Sequence, residues 1–123
     1  MNMRTGYLLL VLIGLFFFCY GSCLAQVSVV HFNSEWNVDN NFDITVLKDC
    51  DLDSVIICHN PELQKKHNIK SVPTVIVFDE NEEVIRFEAN IMLELDATKK
   101  DIQKQIDKIL LAKFEWDYQR TLY

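Results

Sequence analysis

Cysteine and histidine are the residue types in this 123-residue chain that could carry redox or metal chemistry, and they occur at four and three positions. Cys19 and Cys23 lie beside an apolar N-terminal run, so a domain that follows the run keeps only Cys50 and Cys58. We expect Cys50 at the end of a short helix and Cys58 at the end of a strand, on opposite sides of a sheet. That separation exceeds the ~7 Å limit between Cα atoms for a disulfide. We therefore predict no disulfide bond between Cys50 and Cys58. Three scattered histidines lack the spacing of zinc ligands, so we predict no metal site, and we expect no cofactor.

Cys58 has two interpretations from the sequence. It is either a single exposed thiol beside Trp36, able to form mixed disulfides, or a small apolar residue at the end of a strand. His59 would lower the pKa of Cys58 if it were protonated and close, but sequence neighbours at the end of a strand usually point apart. We interpret His31, inside an apolar run, as a core residue and His67, on a polar helix, as a surface residue.

The first 25 residues have the anatomy of a secretory signal peptide. Arg4 precedes an uninterrupted apolar run over residues 8–18 (LLLVLIGLFFF), and small residues follow it up to Ala25, where we predict cleavage. The run is shorter than the ~20 residues that span a bilayer. An uncleaved anchor helix and a lipid-modified Cys23 are the alternatives. We therefore expect an exported protein, periplasmic or extracellular, with membrane contact only through an uncleaved signal or lipid anchor.

The exported chain is acidic. Without residues 1–25, Lys and Arg total 11 against 18 Asp and Glu, a formal charge of −7. Nucleic acid and anionic lipid both attract basic surfaces, so we expect neither as a partner. Residues 26–114 are enough for one small domain with a single core, and residues 115–123 form a C-terminal tail with aromatic side chains. The sequence does not indicate the oligomeric state.

Hydrophobic periodicity predicts the element order β-α-β-α-β-β-α. The predicted strands cover residues 27–32, 54–58, 75–78 and 84–87. The predicted helices begin near residue 39 or 40, after the cap Asn60, and at Thr98. One face of the first helix is predicted to carry Phe42, Val46, Leu47 and Cys50, and the core stripe of the last helix Ile102, Ile106, Ile109, Leu110 and Phe114. The fold class is therefore α/β, with a central mixed sheet flanked by helices.

The stretch 27–41 (VSVVHFNSEWNVDNN) is an apolar strand that breaks just before a helix. Such a break leaves its last residues at the rim of the sheet, where α/β folds place their chemistry. The rim carries Trp36, followed by Asn37, Val38, Asp39 and Asn40, none of which is a nucleophile or a redox group.

Three segments of the chain resemble the thioredoxin family. Residues 32–36 (FNSEW) are similar to the F-W-A-E-W approach to that family's active site, and residues 60–74 to its N-P-E-L…S-V-P-T segment. The hairpin from Phe78 to Phe87 is the third. The resemblance covers about residues 27–114 and implies a thioredoxin-like fold with a cis peptide bond between Val72 and Pro73.

The chain departs from this family at the working motif. Where the family has Trp-Cys-Gly-Pro-Cys, the chain reads Trp36-Asn37-Val38-Asp39-Asn40. Dithiol exchange needs one thiolate to attack and a second thiol to resolve the mixed disulfide, and asparagine supplies neither. The resemblance also places His31 where the family has a buried aspartate.

We therefore expect a redox-inactive thioredoxin-like protein that binds a protein or peptide client and is not a dithiol enzyme. In the family the equivalent loops receive an extended peptide from the client. The predicted binding residues are Trp36, Asn37, Asn40, Val72 and Pro73. The alternatives are a thiol-disulfide oxidoreductase that works through Cys58 alone in cell redox homeostasis, and a structural subunit of an envelope complex.

Overall fold

The computed structural model describes Met3, Gly6 and residues 27–122 of the chain. Its centre is a four-stranded sheet with the strand order β2-β1-β3-β4. The strands are β1 (Val27–Asn33), β2 (Asp51–Ile56), β3 (Thr74–Asp79) and β4 (Glu82–Glu88). β1 pairs with β2 in parallel, whereas β3 is antiparallel to both β1 and β4. The predicted mixed sheet is confirmed.

Helices α1 (Pro61–Lys66) and α2 (Lys99–Leu122) cover the sheet, and the alternation of strand side chains explains how. Odd positions of the central strands pack with Ile102 and Ile106 of α2, among them Val27, Val29, Val75 and Val77. Even positions pack with Leu63 of α1, among them Phe32, Ile76 and Phe78. The central strands β1 and β3 are therefore buried on both faces, which is why they read as nearly continuous apolar runs.

The first predicted helix is wrong in its position and type. A short 3-10 helix, Glu35–Asn40, follows β1, and residues 41–50 form turns and irregular chain instead of an α-helix. Backbone amides in this segment bond side chains: Phe42 N donates to Nε2 of His31 at 3.3 Å, and Thr45 N to Oδ1 of Asp43 at 3.0 Å. Amides engaged in this way do not build the i to i−4 ladder of a helix. Val46, predicted on the buried face, is 51% exposed.

The last helix begins as predicted and ends later. Thr98 N donates to Oδ2 of Asp101 at 2.8 Å, and Asp101 N donates to Oγ1 of Thr98 at 3.2 Å, which is a capping box. The helix continues through the predicted tail to Leu122. Phe114, predicted in the core stripe, is instead 71% exposed.

The predicted signal peptide and its cleavage after Ala25 lie, apart from Met3 and Gly6, outside the described residues. Within the described part of the chain, no helix is long and apolar enough to cross a membrane.

Candidate functional site

A groove of about 380 Å³ lies at the edge of the sheet where the parallel strands β1 and β2 end. Five segments form it: the start of the 3-10 helix, the turn after β2, helix α1, the loop before Pro73 and the turn that ends at Leu93. Its lining residues are Ser34, Trp36, Ile57, Cys58, Gln64, Ile69, Lys70, Ser71, Val72 and Leu93. The groove therefore has mainly apolar walls with a few polar groups, which is the usual composition of a binding site.

Trp36 and the loop before Pro73 form two of the groove walls. Trp36 is 66% exposed, so its indole is available to a ligand. The Val72–Pro73 peptide bond is cis, the conformation that the resemblance implies. Oγ1 of Thr74 donates to the carbonyl oxygen of Ser71 at 2.7 Å, which closes this loop on the start of β3. Of the two loop residues predicted to bind, Val72 borders the groove but is only 3% exposed, and Pro73 is fully buried.

Asn37 is buried beneath the groove and not at its surface. Its side chain is only 5% exposed, although we predicted it as a contact for a client. Its Nδ2 group lies 3.2 Å from each of three acceptors: Oδ1 of Asn33, the carbonyl oxygen of Val72 and that of Leu93. An asparagine amide has two N–H donors, so the three acceptors share them. Asn37 is thus a structural hub that connects separate loops.

Asn40 and Asn33 support the orientation of Asn37. Asn40 is half-buried, and its Nδ2 group donates a hydrogen bond to Oδ1 of Asn37 at 3.0 Å. The Nδ2 of Asn33 donates to the carbonyl oxygen of Asn37 at 3.1 Å and also bonds Oδ1 of Asn41. Because Oδ1 of Asn37 already accepts from Asn40, its Nδ2 is left to face the loops.

Cys58 is exposed in the groove, as the first of its two interpretations requires. Its Sγ atom lies 2.6 Å from the buried hydroxyl of Ser34, and the backbone N–H of Glu35 also donates to it. The hydrogen bond from Ser34, followed by that from Glu35, lowers the pKa of Cys58 below its ordinary value, because both stabilise the thiolate. His59 bonds the carboxylate of Glu35.

Cys50 lies apart from the groove. It packs against the α2 side of the sheet, and both cysteines are free. Burial raises the pKa of the Cys50 thiol, and the nearby carboxylates of Asp49 and Asp51 raise it further. The two thiols therefore have opposite environments, and Cys58 is the one suited to reaction.

The histidines do not form a reactive group with Cys58. His31 is buried on the α2 side of the sheet, as predicted, and burial lowers its pKa. His67 is half-buried: it is partly at the surface, as predicted, but its ring also lies 5.5 Å from that of Phe32 and 5.4 Å from that of Phe78, between centroids. Over the part of the chain that the structure describes, no three His, Cys, Asp or Glu residues converge to hold a metal ion.

Structure comparison finds a similar fold in solved thioredoxins. Thioredoxin-2 of the malaria parasite aligns with a TM-score of 0.56 and 21% identity, over 71% of this chain and 86% of its own. Thioredoxin 1 of Thermosipho africanus aligns with a TM-score of 0.53 and 20% identity, over 70% of this chain and 97% of its own. This chain has a thioredoxin-like fold.

The likeness is one of fold. A mutant thioredoxin of Halobacterium salinarum, at 16% identity and a TM-score of 0.53, is similar over 68% of this chain and 74% of its own. No family model matches the sequence, and a search of curated proteins finds no match either. The thioredoxin-like domain places Trp36, Val72 and Cys58 around one groove. The chemistry of this groove depends on the residues that line it.

Beyond Trp36, Cys58 and Val72, the sequence did not indicate the lining residues, and two of these, Ser34 and Leu93, contact Cys58 and Asn37. Ser34 falls inside the segment that resembles the active-site approach, but its serine gave no sign that it would bond Cys58. Leu93 reaches the groove from a turn in which it adopts a left-handed φ of 60°. Neither glycine nor asparagine, the usual residues for that conformation, stands at this position to signal it.

Proposed function

We propose that this protein is an exported thioredoxin-fold protein that binds an extended segment of a client protein in the groove, without dithiol exchange. The observation that carries the proposal is the exposed Trp36 beside the Val72 loop, with a buried asparagine beneath them where the resemblance places the first active-site cysteine. Trp36 offers a large apolar surface, and the loop before Pro73, with Ser71 half-buried, lies beside it. Together these suit an extended peptide.

The lack of a dithiol supports the statement that the protein acts without dithiol exchange. Asn37 and Asn40 have no thiol, and the two cysteines of the described residues lie in different environments, with Cys58 in the groove and Cys50 against α2. A dithiol mechanism needs two thiols that reach one another. These positions cannot supply them.

The composition of the groove supports a peptide with apolar side chains. Five lining residues are apolar: Trp36, Ile57, Ile69, Val72 and Leu93. Gln64, Lys70 and Ser71 add polar groups that suit a peptide backbone or an acidic side chain. The chain as a whole is acidic, with a formal charge of −6, so neither nucleic acid nor an anionic membrane is part of the proposal.

The experiment is a binding titration with an unfolded protein as probe, reduced and carboxymethylated lactalbumin labelled with a fluorophore. We expect Trp36→Ala to weaken its binding by about tenfold, as for a tryptophan at the centre of an interface. The matched control is Trp116→Ala, because Trp116 is 70% exposed and lies on α2 away from the groove. Equal affinities of the wild type and Trp36→Ala would contradict the proposal.

A second candidate function rests on the contact between Ser34 and Cys58. In this function the Cys58 thiolate attacks a client disulfide, so that a Cys58–client S–S bond forms, the client S–S bond breaks and one client thiolate leaves. One glutathione thiolate then attacks Cys58, releasing the second client thiol and leaving glutathione on Cys58. A second glutathione removes it as oxidised glutathione and restores the thiolate.

Reduction of insulin by glutathione separates the two functions. The binding function predicts no acceleration by the wild type above the rate with glutathione alone. The oxidoreductase function predicts acceleration that Cys58→Ser abolishes and that Cys50→Ser, the matched control, retains. The second result would replace our first proposal with an enzyme that uses one thiol.

A further inference from the structure

Three segments far apart in the sequence meet at one side-chain amide. Nδ2 of Asn37, in the 3-10 helix, is 3.2 Å from the carbonyl oxygen of Val72, in the loop before the cis-proline, and 3.2 Å from that of Leu93. These acceptors lie 35 and 56 positions away along the chain. The amide is buried, so water does not compete for these bonds, and leaving its donors unpaired would be costly.

Each of the three segments supplies a wall of the groove. Trp36 precedes Asn37 directly, while Val72 and Leu93 provide both the acceptors and lining side chains. The bonds of one amide therefore link these walls. Leu93 has a φ of 60°, a strained conformation for leucine that needs support from its surroundings. The bond from Asn37 and the bond from Leu93 N to the carbonyl oxygen of Asn90, at 3.0 Å, provide that support.

We infer that Asn37 is the positioning residue of the groove: its buried amide holds the three segments together and thereby sets the shape that a client meets. A cysteine has no second donor and a shorter side chain, and it cannot hold two carbonyl groups at once. The asparagine is therefore a structural replacement with a role of its own, and not simply the loss of a thiol. The inference rests on the proposed function only for what the groove binds.

The first test uses the unmodified protein and follows hydrogen exchange of asparagine side-chain NH₂ groups by NMR. We expect the NH₂ group of Asn37 to exchange at least about tenfold more slowly than that of Asn60, whose Nδ2 donates to the carbonyl oxygen of Ile56 at 3.1 Å in an exposed turn. Similar exchange rates for the two side chains would overturn the inference. No variant has to fold for this result to be read.

The second test compares backbone hydrogen exchange in Asn37→Ala and Asn60→Ala, both of which remove one amide side chain. We expect Asn37→Ala to speed exchange about tenfold over residues 70–72 and 90–94, with little change in β3 between Val75 and Val77. Asn60→Ala should leave both loops unchanged. Equal acceleration in the loops and in β3 would mean that Asn37 serves general stability alone, and would overturn the inference.

A binding readout completes the test and separates this inference from the proposed function. In a Trp116→Phe background, Trp36 is the sole tryptophan and reports on the groove by its fluorescence. We expect Asn37→Ala to increase acrylamide quenching of Trp36 and to weaken binding of carboxymethylated lactalbumin. If the unmodified protein fails to bind this probe, the proposed function fails, whereas the exchange and quenching results still decide the role of Asn37.

Discussion

The hydroxyl of Ser34 lies 2.6 Å from the Sγ atom of Cys58, and this contact joins the end of β1 to the turn after β2. Ser34 is buried, so its hydroxyl is held in place by its surroundings, whereas the thiol of Cys58 is accessible to solvent. Such a contact stabilises a thiolate without a second cysteine or a nearby cation. Loss of the Ser34 hydroxyl should therefore make the Cys58 thiol less reactive.

Replacement of Ser34 should weaken the thiolate. Hydrogen bonding from Ser34 is the largest cause that lowers the pKa of Cys58, so Ser34→Ala should raise that pKa towards its ordinary value. We expect alkylation of Cys58 by iodoacetamide at pH 7 to slow by several-fold, because less thiolate is present. The pH profile of alkylation, followed by mass spectrometry, gives the pKa directly.

Cys50 provides an internal control in that experiment. Burial and neighbouring carboxylates raise its pKa, so its slow alkylation should not change in Ser34→Ala. Equal pKa values of Cys58 in the wild type and in Ser34→Ala would show that the contact with Ser34 has no effect on the thiol.

Buried His31 should make the protein less stable in mild acid. Burial lowers its pKa in the folded state below the ordinary value of 6.5, which the unfolded chain retains. As the pH falls through 6.5, the unfolded state takes up a proton that the folded state refuses, so the free energy of unfolding decreases until the folded pKa is reached. Protonation of Nε2 also removes the acceptor of the Phe42 amide. The measurement is urea unfolding at pH 7.5 and at pH 5.5.

His31→Gln separates this effect from other acid effects. Glutamine keeps a polar acceptor and does not titrate, so the decrease between pH 7.5 and pH 5.5 should become smaller. His67 also has a pKa lowered by burial and should account for part of what remains. An unchanged decrease in His31→Gln would assign the acid sensitivity to other groups.

The last turns of α2 should contribute little to stability. Trp116, Tyr118 and Leu122 are 70%, 57% and 59% exposed, and α2 contacts the sheet through its first half. Deletion of residues 115–123 should therefore change the free energy of unfolding by less than about 1 kcal/mol, because exposed side chains bury little apolar area. Lys113, which bonds Asp79, is retained. A loss of several kcal/mol in urea unfolding would place these turns inside the folded domain.

The sequence predicted the sheet better than the site, for physical reasons. β1 and β3 are buried on both faces, so their composition alone identifies them. The first helix failed because side chains of His31 and Asp43 bond backbone amides that a helix would use, and periodicity does not detect such bonds. The exposed strand β2 begins at Asp51, three residues before the predicted strand 54–58, because an edge strand tolerates polar side chains that hide it from a hydrophobic pattern.

The site depends on contacts between distant parts of the chain. Asparagine is mostly a surface residue, so the burial of Asn37 is contrary to its type. Its acceptors on Val72 and Leu93 are backbone groups, which every residue has and which leave no signal in the sequence. The resemblance identified the positions of Trp36 and Pro73, but only the folded chain places Asn37 beneath them.

The most direct measurement of the central claim is an NMR titration of the ¹⁵N-labelled protein with carboxymethylated lactalbumin. If the groove binds a client segment, the shifted signals should be the Trp36 indole and the backbone amides of Ser71, Val72 and Leu93, while the Trp116 indole on α2 stays unchanged. Shifts centred on Trp116, or no shifts at all at saturating probe, would contradict a peptide-binding groove.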